Sequence, residues 1–357
     1  MTELLIGTRK GLFVLDGDPG GEFAIRTRAF VGEPVDYALR EPRSGRLFVA
    51  VTSPFWGPRI WYTDDLEAGD WTPAAGVSLP RGGDQALARI WVITPAGDGA
   101  GRRLYAGGDP GVLFESRDAG ATWELNRPLW EHPTRPEWQR DSGGLSVHSI
   151  APWPGDPDRV TLAISAAGVW LTEDAGASWR HGNRGIVAHY LPPETREQAI
   201  SLCVHHLERA PRRPERLFMQ FHGGVYRSDD AGESWIDIAG GLPSDFGFTV
   251  VLDPADPDSA YVIPVATVDR VTLDGRVAVW ETRDAGASWS SHSEGLPQRD
   301  AYLQILRQAF DGKGEGPDLE LYFGATSGEV FGSGDAGATW FTVKARLPAI
   351  SSVRVGR

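Results

Sequence analysis

The stretch Ser116-Arg117-Asp118-Ala119-Gly120-Ala121-Thr122-Trp123 decides the fold, because its pattern, Ser/Thr-x-Asp-Ala-Gly-x-Ser/Thr-Trp, returns at Thr172 to Trp179, Ser228 to Trp235, Thr282 to Trp289 and Ser333 to Trp340. The central aspartates, Asp118, Asp174, Asp230, Asp284 and Asp335, stand 56, 56, 54 and 51 residues apart, the length of one supersecondary unit. A degraded sixth copy runs from Thr63 to Trp71 with its glycine displaced, which predicts a distorted loop there. Outward from each box the text is rich in branched and aromatic residues, as in Gly168-Val169-Trp170-Leu171-Thr172 or Leu217-Phe218-Met219-Gln220-Phe221, and helical periodicity is absent almost throughout. Four short strands fit each period: an inner one (145–151 in one unit), a second (159–165), a third ending in the box and an outer one starting at the box tryptophan. Leu-Pro pairs at Leu242, Leu296 and Leu347 then break the outer strand.

Radially repeated four-stranded sheets make a β-propeller. The expected fold is all-β, a single seven-bladed propeller over residues 1–357 with blades at 35–80, 86–128, 145–183, 200–240, 247–296 and 301–347. The C-terminal 349–357 and N-terminal 4–30 together supply the seventh, closing the ring and removing open sheet edges. Within each box, glycine permits a positive φ, the carboxylate accepts backbone N–H groups across the turn, and tryptophan is an apolar plug. A catalytic centre is unique, whereas these acids recur once per unit, so they read as structural.

Composition narrows the function. The chain has 357 residues, 41% hydrophobic and 23% charged, which is globular rather than disordered. A single cysteine, Cys203, excludes a disulfide framework and Cys-rich metal sites. A net charge of −13 opposes nucleic acid, and the one dense basic cluster (Arg209, Arg212, Arg213, Arg216) lies in a Pro-rich turn. No apolar run reaches the ~20 residues of a membrane helix, and the first residues lack the layout of a secretion signal. A cytoplasmic monomer is the expectation.

The boxes resemble Asp-box repeats, also called bacterial neuraminidase (BNR) repeats, found in sialidases, other glycosidases, sortilin-type receptors and photosystem assembly factors. The stretches Gln220-Phe221-His222-Gly223-Gly224-Val225-Tyr226, Gly241-Leu242-Pro243-Ser244-Asp245-Phe246-Gly247-Phe248 and Tyr322-Phe323-Gly324-Ala325-Thr326-Ser327-Gly328 resemble short bacterial proteins labelled sialidase-like or glycosyl-hydrolase-like. That resemblance implies a candidate partner, a small ubiquitin-like sulfur-carrier protein encoded beside some relatives. A sialidase also carries an aromatic-Arg-Ile-Pro motif; the nearest text here, Gly57-Pro58-Arg59-Ile60-Trp61, lacks both the aromatic and the proline in place, which argues against sialidase activity.

In a propeller the second-to-third-strand loops and the starts of the inner strands converge at one mouth of the central channel. Aligning the repeats on their Pro-x-x-Pro turns (Pro154/Pro157, Pro211/Pro214, Pro254/Pro257) places His148, His205 and Phe248 at equivalent inner-strand positions, with His222 on a neighbouring loop. His148, His205 and His222 are therefore the candidate ligands of a divalent transition metal. Equally, one of them is a general base oriented by Asp109 or Asp141, or all three are channel-lining histidines bonded to carbonyls or water. Cys203 shares a strand face with His205 and reads as a buried thiol. Ligand contacts fall to Trp56, Arg89, Trp91, Asp269, Arg270, Tyr302 and Arg307, and Trp130 and Trp138 on the long 129–144 segment are candidate stacking platforms. Three readings stay open: a mouth that binds a small ligand, a metal or a protein; a glycosidase-type or other hydrolase built on the mouth's His and Asp residues; and a non-catalytic assembly scaffold.

Overall fold

The computed structural model describes residues 1–80, 82, 85–97, 102–138 and 144–356. Among them the chain forms 28 strands and only short helical turns, such as Arg127–Trp130. The strands run as antiparallel meanders in five four-stranded sheets and one eight-stranded sheet. The eight-stranded sheet is two four-stranded halves joined by a single parallel pair, Gln308 with Ser352. One half holds the chain's two ends: Thr2–Thr8 lies between Gly11–Gly17 and Ile350–Gly356, with Leu4 opposite Val355 and Ile6 opposite Val353. The first strands of successive sheets touch in turn, and Ile350–Gly356 touches Val35–Arg40, so the sheets close a circle. This is an all-β propeller fold. No helix among the described residues is long and apolar enough to cross a membrane.

Burial falls from the axis outward. The second strand Leu217–Phe221 is buried at every position, whereas the outer strand Ile236–Asp237 is exposed. Apolar side chains interleave between neighbouring sheets: Ala163, Val169 and Leu171 of one pack against Val204, Leu217, Met219 and Phe221 of the next. Each such Leu, Met or Phe contributes roughly 1.5–3 kcal/mol when fully buried, so packing between sheets, more than the ladders within them, holds the circle together.

The boxes tie one sheet to the next. In the Ser228 box, the Ser228 hydroxyl donates to Asp230 and accepts the Gly232 N–H, while Asp230 accepts both the N–H and the hydroxyl of Ser234. The Trp235 indole donates to the Gly182 carbonyl of the preceding sheet at 2.9 Å, and its backbone N–H reaches the Arg184 carbonyl at 2.8 Å. Gly185, at φ 87°, lies so close that a Cβ there would overlap the Trp235 carbonyl oxygen. The turn demands more left-handed backbone than one glycine supplies: Ala119, Ala175, Ala231, Ala285 and Ala336 also sit at φ 55 to 65°, each costing about 1–2 kcal/mol. In compensation each of these alanines donates its N–H to a carbonyl one strand away, as Ala231 does to Glu215. In the degraded copy Asp65 accepts from Glu67 and Ala68, two and three residues on, instead of the fourth residue on.

Candidate functional site

A register slip near the mouth end of the inner strands builds the site. Val35 pairs with Val51 and Tyr37 with Ala50, leaving Asp36 without a partner across the ladder. In the same way Trp91 is left out between Ile90 and Val92, His148 between Val147 and Ser149, and His205 between Val204 and His206. A slip between Gly247 and Val250 spans Phe248, and a wider one between Ile305 and Phe310 holds Arg307. Ser351 is skipped where Gly7 pairs with Ser352 and Thr8 with Ile350. Such bulges re-aim a side chain out of the regular pleat. Here each inner strand delivers one at the same level of the channel.

The delivered side chains touch. Phe248 stacks on His205 with ring centroids 4.9 Å apart. The Arg307 guanidinium lies 5.5 Å from the Phe248 ring and 5.7 Å from Trp91, and Arg89 lies 4.7 Å from Trp91 on the cation–π geometry. Asp36, 6% exposed, accepts from the Thr52 hydroxyl at 2.6 Å and pairs with Arg89 at 3.2 Å. Burial pushes its carboxyl above the usual carboxylate range, against the charge of Arg89, the Thr52 hydrogen bond and the charge of Arg9. Asp109 is also buried and stands directly opposite Arg89 in the ladder, so Arg89 pairs with a carboxylate of the preceding sheet and has a second acid across its own strand pair.

The histidines divide into two roles. His148 is fully buried; its Nε2 donates to the Val204 carbonyl at 2.8 Å and its Nδ1 is 3.2 Å from the Ser149 hydroxyl. Both ring nitrogens are thus committed, which corrects the expectation that His148 joins His205 and His222 as a metal ligand or serves as a general base. Burial, then the nearby Arg307 charge, holds the pKa of His148 and His205 well below the ordinary imidazole value, so both are neutral. His205 donates from Nδ1 to the Gly247 carbonyl at 2.6 Å. His148 and His205 thus each reach the residue just before the bulge of the next sheet. His222 stands beside His205 with ring centroids 5.2 Å apart.

The other candidates scatter. Arg89, Trp91 and Arg307 meet around the channel as described. Trp56 packs on its own sheet against Trp61, 5.9 Å away, with Arg59 over its face. Asp269 is exposed on the 266–271 turn, and Arg270 beside it adopts φ 61°. Tyr302, 61% exposed, lies against Gly275 of the neighbouring loop. Asp141 lies outside the described residues. Trp138 is buried 5.0 Å from Trp170, and Arg135 covers Trp130 at 3.8 Å, so neither ring is an open platform. Further along the inner strands from the bulges lies a cavity of 230 Å³ lined by His148, His206, Glu208, Gln308 and Arg354 among others. Sequence reasoning missed Asp36, although it stands six residues before Pro42, as His148, His205 and Phe248 stand six before Pro154, Pro211 and Pro254.

No protein-family model matches the chain. An oligoxyloglucan-reducing end-specific xyloglucanase of Emericella nidulans is 26% identical over 190 residues, which cover 50% of this chain and 22% of that protein. The chain thus matches less than a quarter of that relative's length. Among solved structures, an ancestral GH74 enzyme aligns over 90% of this chain and 38% of its own with a TM-score of 0.58 and 15% identity. YCF48 from Cyanidioschyzon merolae aligns over 86% of this chain and 83% of its own, with a TM-score of 0.55 and 13% identity. A chain of the mitotic checkpoint complex aligns over 96% of this chain and 87% of its own, with a TM-score of 0.52 and 12% identity. These likenesses show the fold, a β-propeller.

Proposed function

We propose that the chain is one seven-bladed Asp-box propeller whose mouth binds a carbohydrate and cleaves a glycosidic bond with Asp36 and Asp109. The carrying observation is the buried Asp36 carboxyl paired with Arg89, with the buried Asp109 opposite Arg89 across the ladder. Glycoside hydrolysis uses two carboxyl groups, one held protonated to donate to the leaving oxygen and one ionised. Desolvation favours the protonated form of Asp36, which makes it the proton donor; Arg89 and Trp91 supply a cation and a flat apolar face at the same place. The xyloglucanase relative supports a β-glucan substrate class.

A panel of xyloglucan oligosaccharides and aryl glycosides tests this reading. Turnover by the native protein is expected, with kcat lowered about 10³-fold in Asp36→Asn, within the usual range for loss of a general acid. Because the donor must be protonated, activity is lost as pH rises through the raised pKa of Asp36. Absence of turnover across the panel, or a native rate in Asp36→Asn, would overturn it.

A second reading has its own support. Phe55, Tyr190, Val268 and Tyr302 are large, exposed apolar residues carried on mouth-side loops, a pattern that suits a protein ligand. The small ubiquitin-like carrier protein is the partner to try, by titration calorimetry with native protein and Phe55→Ser; heat of binding that Phe55→Ser diminishes would favour this reading over the first.

A further inference from the structure

We propose that Cys203, His205 and His222 bind one thiophilic d10 metal ion, Zn(II) or Cu(I), at the mouth of the channel. The ligand atoms of the three residues lie within 4.8 Å of one another. With metal–ligand bonds of 2.0 to 2.3 Å, ligands of one tetrahedral or trigonal ion stand roughly 3.5–4 Å apart, so closure asks for about 1 Å of side-chain movement. One thiolate and two imidazoles form a soft to borderline donor set, which selects zinc or copper over calcium, magnesium or manganese.

Three features of the local fold prepare the site. The His205 bulge turns its ring to the same side as Cys203, two residues earlier. The His222 backbone N–H donates to the Cys203 carbonyl at 3.0 Å, which pins the His222 turn to the strand carrying the thiol. The bond from His205 Nδ1 to the Gly247 carbonyl at 2.6 Å leaves Nε2 as the bare nitrogen, the outer hydrogen bond that metal-bound imidazoles regularly make. Around these ligands stands an apolar wall: Phe248 stacks on His205, Phe246 meets His205 and His222 edge-on at 5.3 and 5.0 Å, and Tyr190 lies 4.4 Å from the His222 ring. Such a wall limits water and so favours a low coordination number. His222 is half-buried and Tyr190 is 42% exposed, which gives an ion a way in from the mouth.

The site is independent of Asp36 and needs no glycoside turnover, so the experiment reads metal directly. Native protein, stripped with chelator and kept reduced, is titrated with Zn(II), with Cu(I) in competition with a chromogenic chelator, and with Co(II) as a spectroscopic probe. One equivalent binds, and the Co(II) form shows a thiolate-to-metal charge-transfer band in the near ultraviolet. Cys203→Ser abolishes that band, and both Cys203→Ser and His222→Gln weaken binding roughly 100-fold or more, while His292→Gln, on an outer strand, matches the native protein. The ion bound more tightly identifies the occupant. Alkylation of native Cys203, slowed by bound metal, gives a readout that needs no variant to fold. Failure of all three ions to bind at one equivalent, or native affinity in both ligand variants, overturns the proposal.

Discussion

On the box face, Asp118, Asp174, Asp230, Asp284 and Asp335 each accept a hydroxyl four residues on at 2.5 to 2.7 Å and the matching backbone N–H at 2.8 to 2.9 Å. On the mouth face, the equivalent bulge positions hold an acid, an indole, two imidazoles, a phenyl ring, a guanidinium and a hydroxyl. One end of the same repeat holds a single solution, and the other presents six kinds of side chain from seven inner strands. The difference follows from what each residue touches. Every box must form the same turn against the next sheet, whereas a bulge side chain stands out of its own ladder, and its cross-sheet contacts differ from strand to strand: a backbone carbonyl for His148 and His205, a guanidinium for Asp36. Substitutions on the box face should therefore act alike in every sheet and on stability, and substitutions at the bulges should act unequally and on function.

The largest test is Asp36→Asn, whose expected ~10³-fold loss in kcat should come with an unfolding midpoint close to the native one; a large fall in stability would show that Asp36 belongs with the boxes. Next is Gly120→Ala. Its φ is 82° and a Cβ would run into the Phe48 ring of the preceding sheet, so a loss of about 3 kcal/mol is expected in urea unfolding. His148→Phe probes the exception within the mouth, since it removes a donor from the buried Val204 carbonyl; about 2 kcal/mol should be lost, with ligand affinity little changed. Asp230→Ala should cost about 1–2 kcal/mol, and the same change at Asp174 should agree with it within ~0.5 kcal/mol.

The smallest effect is in pH. Asp230 has its pKa lowered: burial works against this, and the hydrogen bonds from Ser234 and Ser228 with the charge of Arg184 prevail. At Asp174 the Ser178 hydroxyl leads the same lowering. A carboxylate whose folded pKa lies below its unfolded value stabilises the fold above the unfolded value, near 3.8, and that contribution is lost as pH falls through the folded one. Acid unfolding curves of Asp230→Asn should be flatter below about pH 4 than those of the native protein, and an unchanged slope would remove Asp230 from the set.

The unequal legibility of the two faces has the same origin. A box is written in eight consecutive residues, so its spacing alone announced strands, turns and sheet repeats. A bulge is a relation between two strands: one extra residue on the first, invisible until the second is laid beside it. Where a proline marked the turn, at Pro154, Pro211 and Pro254, the equivalent positions could be counted back, and His148, His205 and Phe248 were placed together. Asp36 was countable from Pro42 but looked like an ordinary polar residue in an alternating strand. Trp91 and Arg307 have no such proline six residues on, and entered only as members of a broad set. The role of His148 stayed open among ligand, base and carbonyl-bonded side chain, because sequence shows that an imidazole is present and not that a neighbouring sheet offers Val204's carbonyl to it.

The strand Thr2–Thr8 has one neighbour nearby in sequence, Gly11–Gly17, and the other some 340 residues later, Ile350–Gly356. During synthesis at roughly 5–20 residues per second, that edge waits tens of seconds for its mate, and until then every completed sheet belongs to an open arc. A nascent arc with an unpaired apolar edge is a template for another chain. The last seven-residue strand is thus a latch as well as a wall of the channel, and a ribosome stalled just short of it would release a protein with all its boxes formed and no ring.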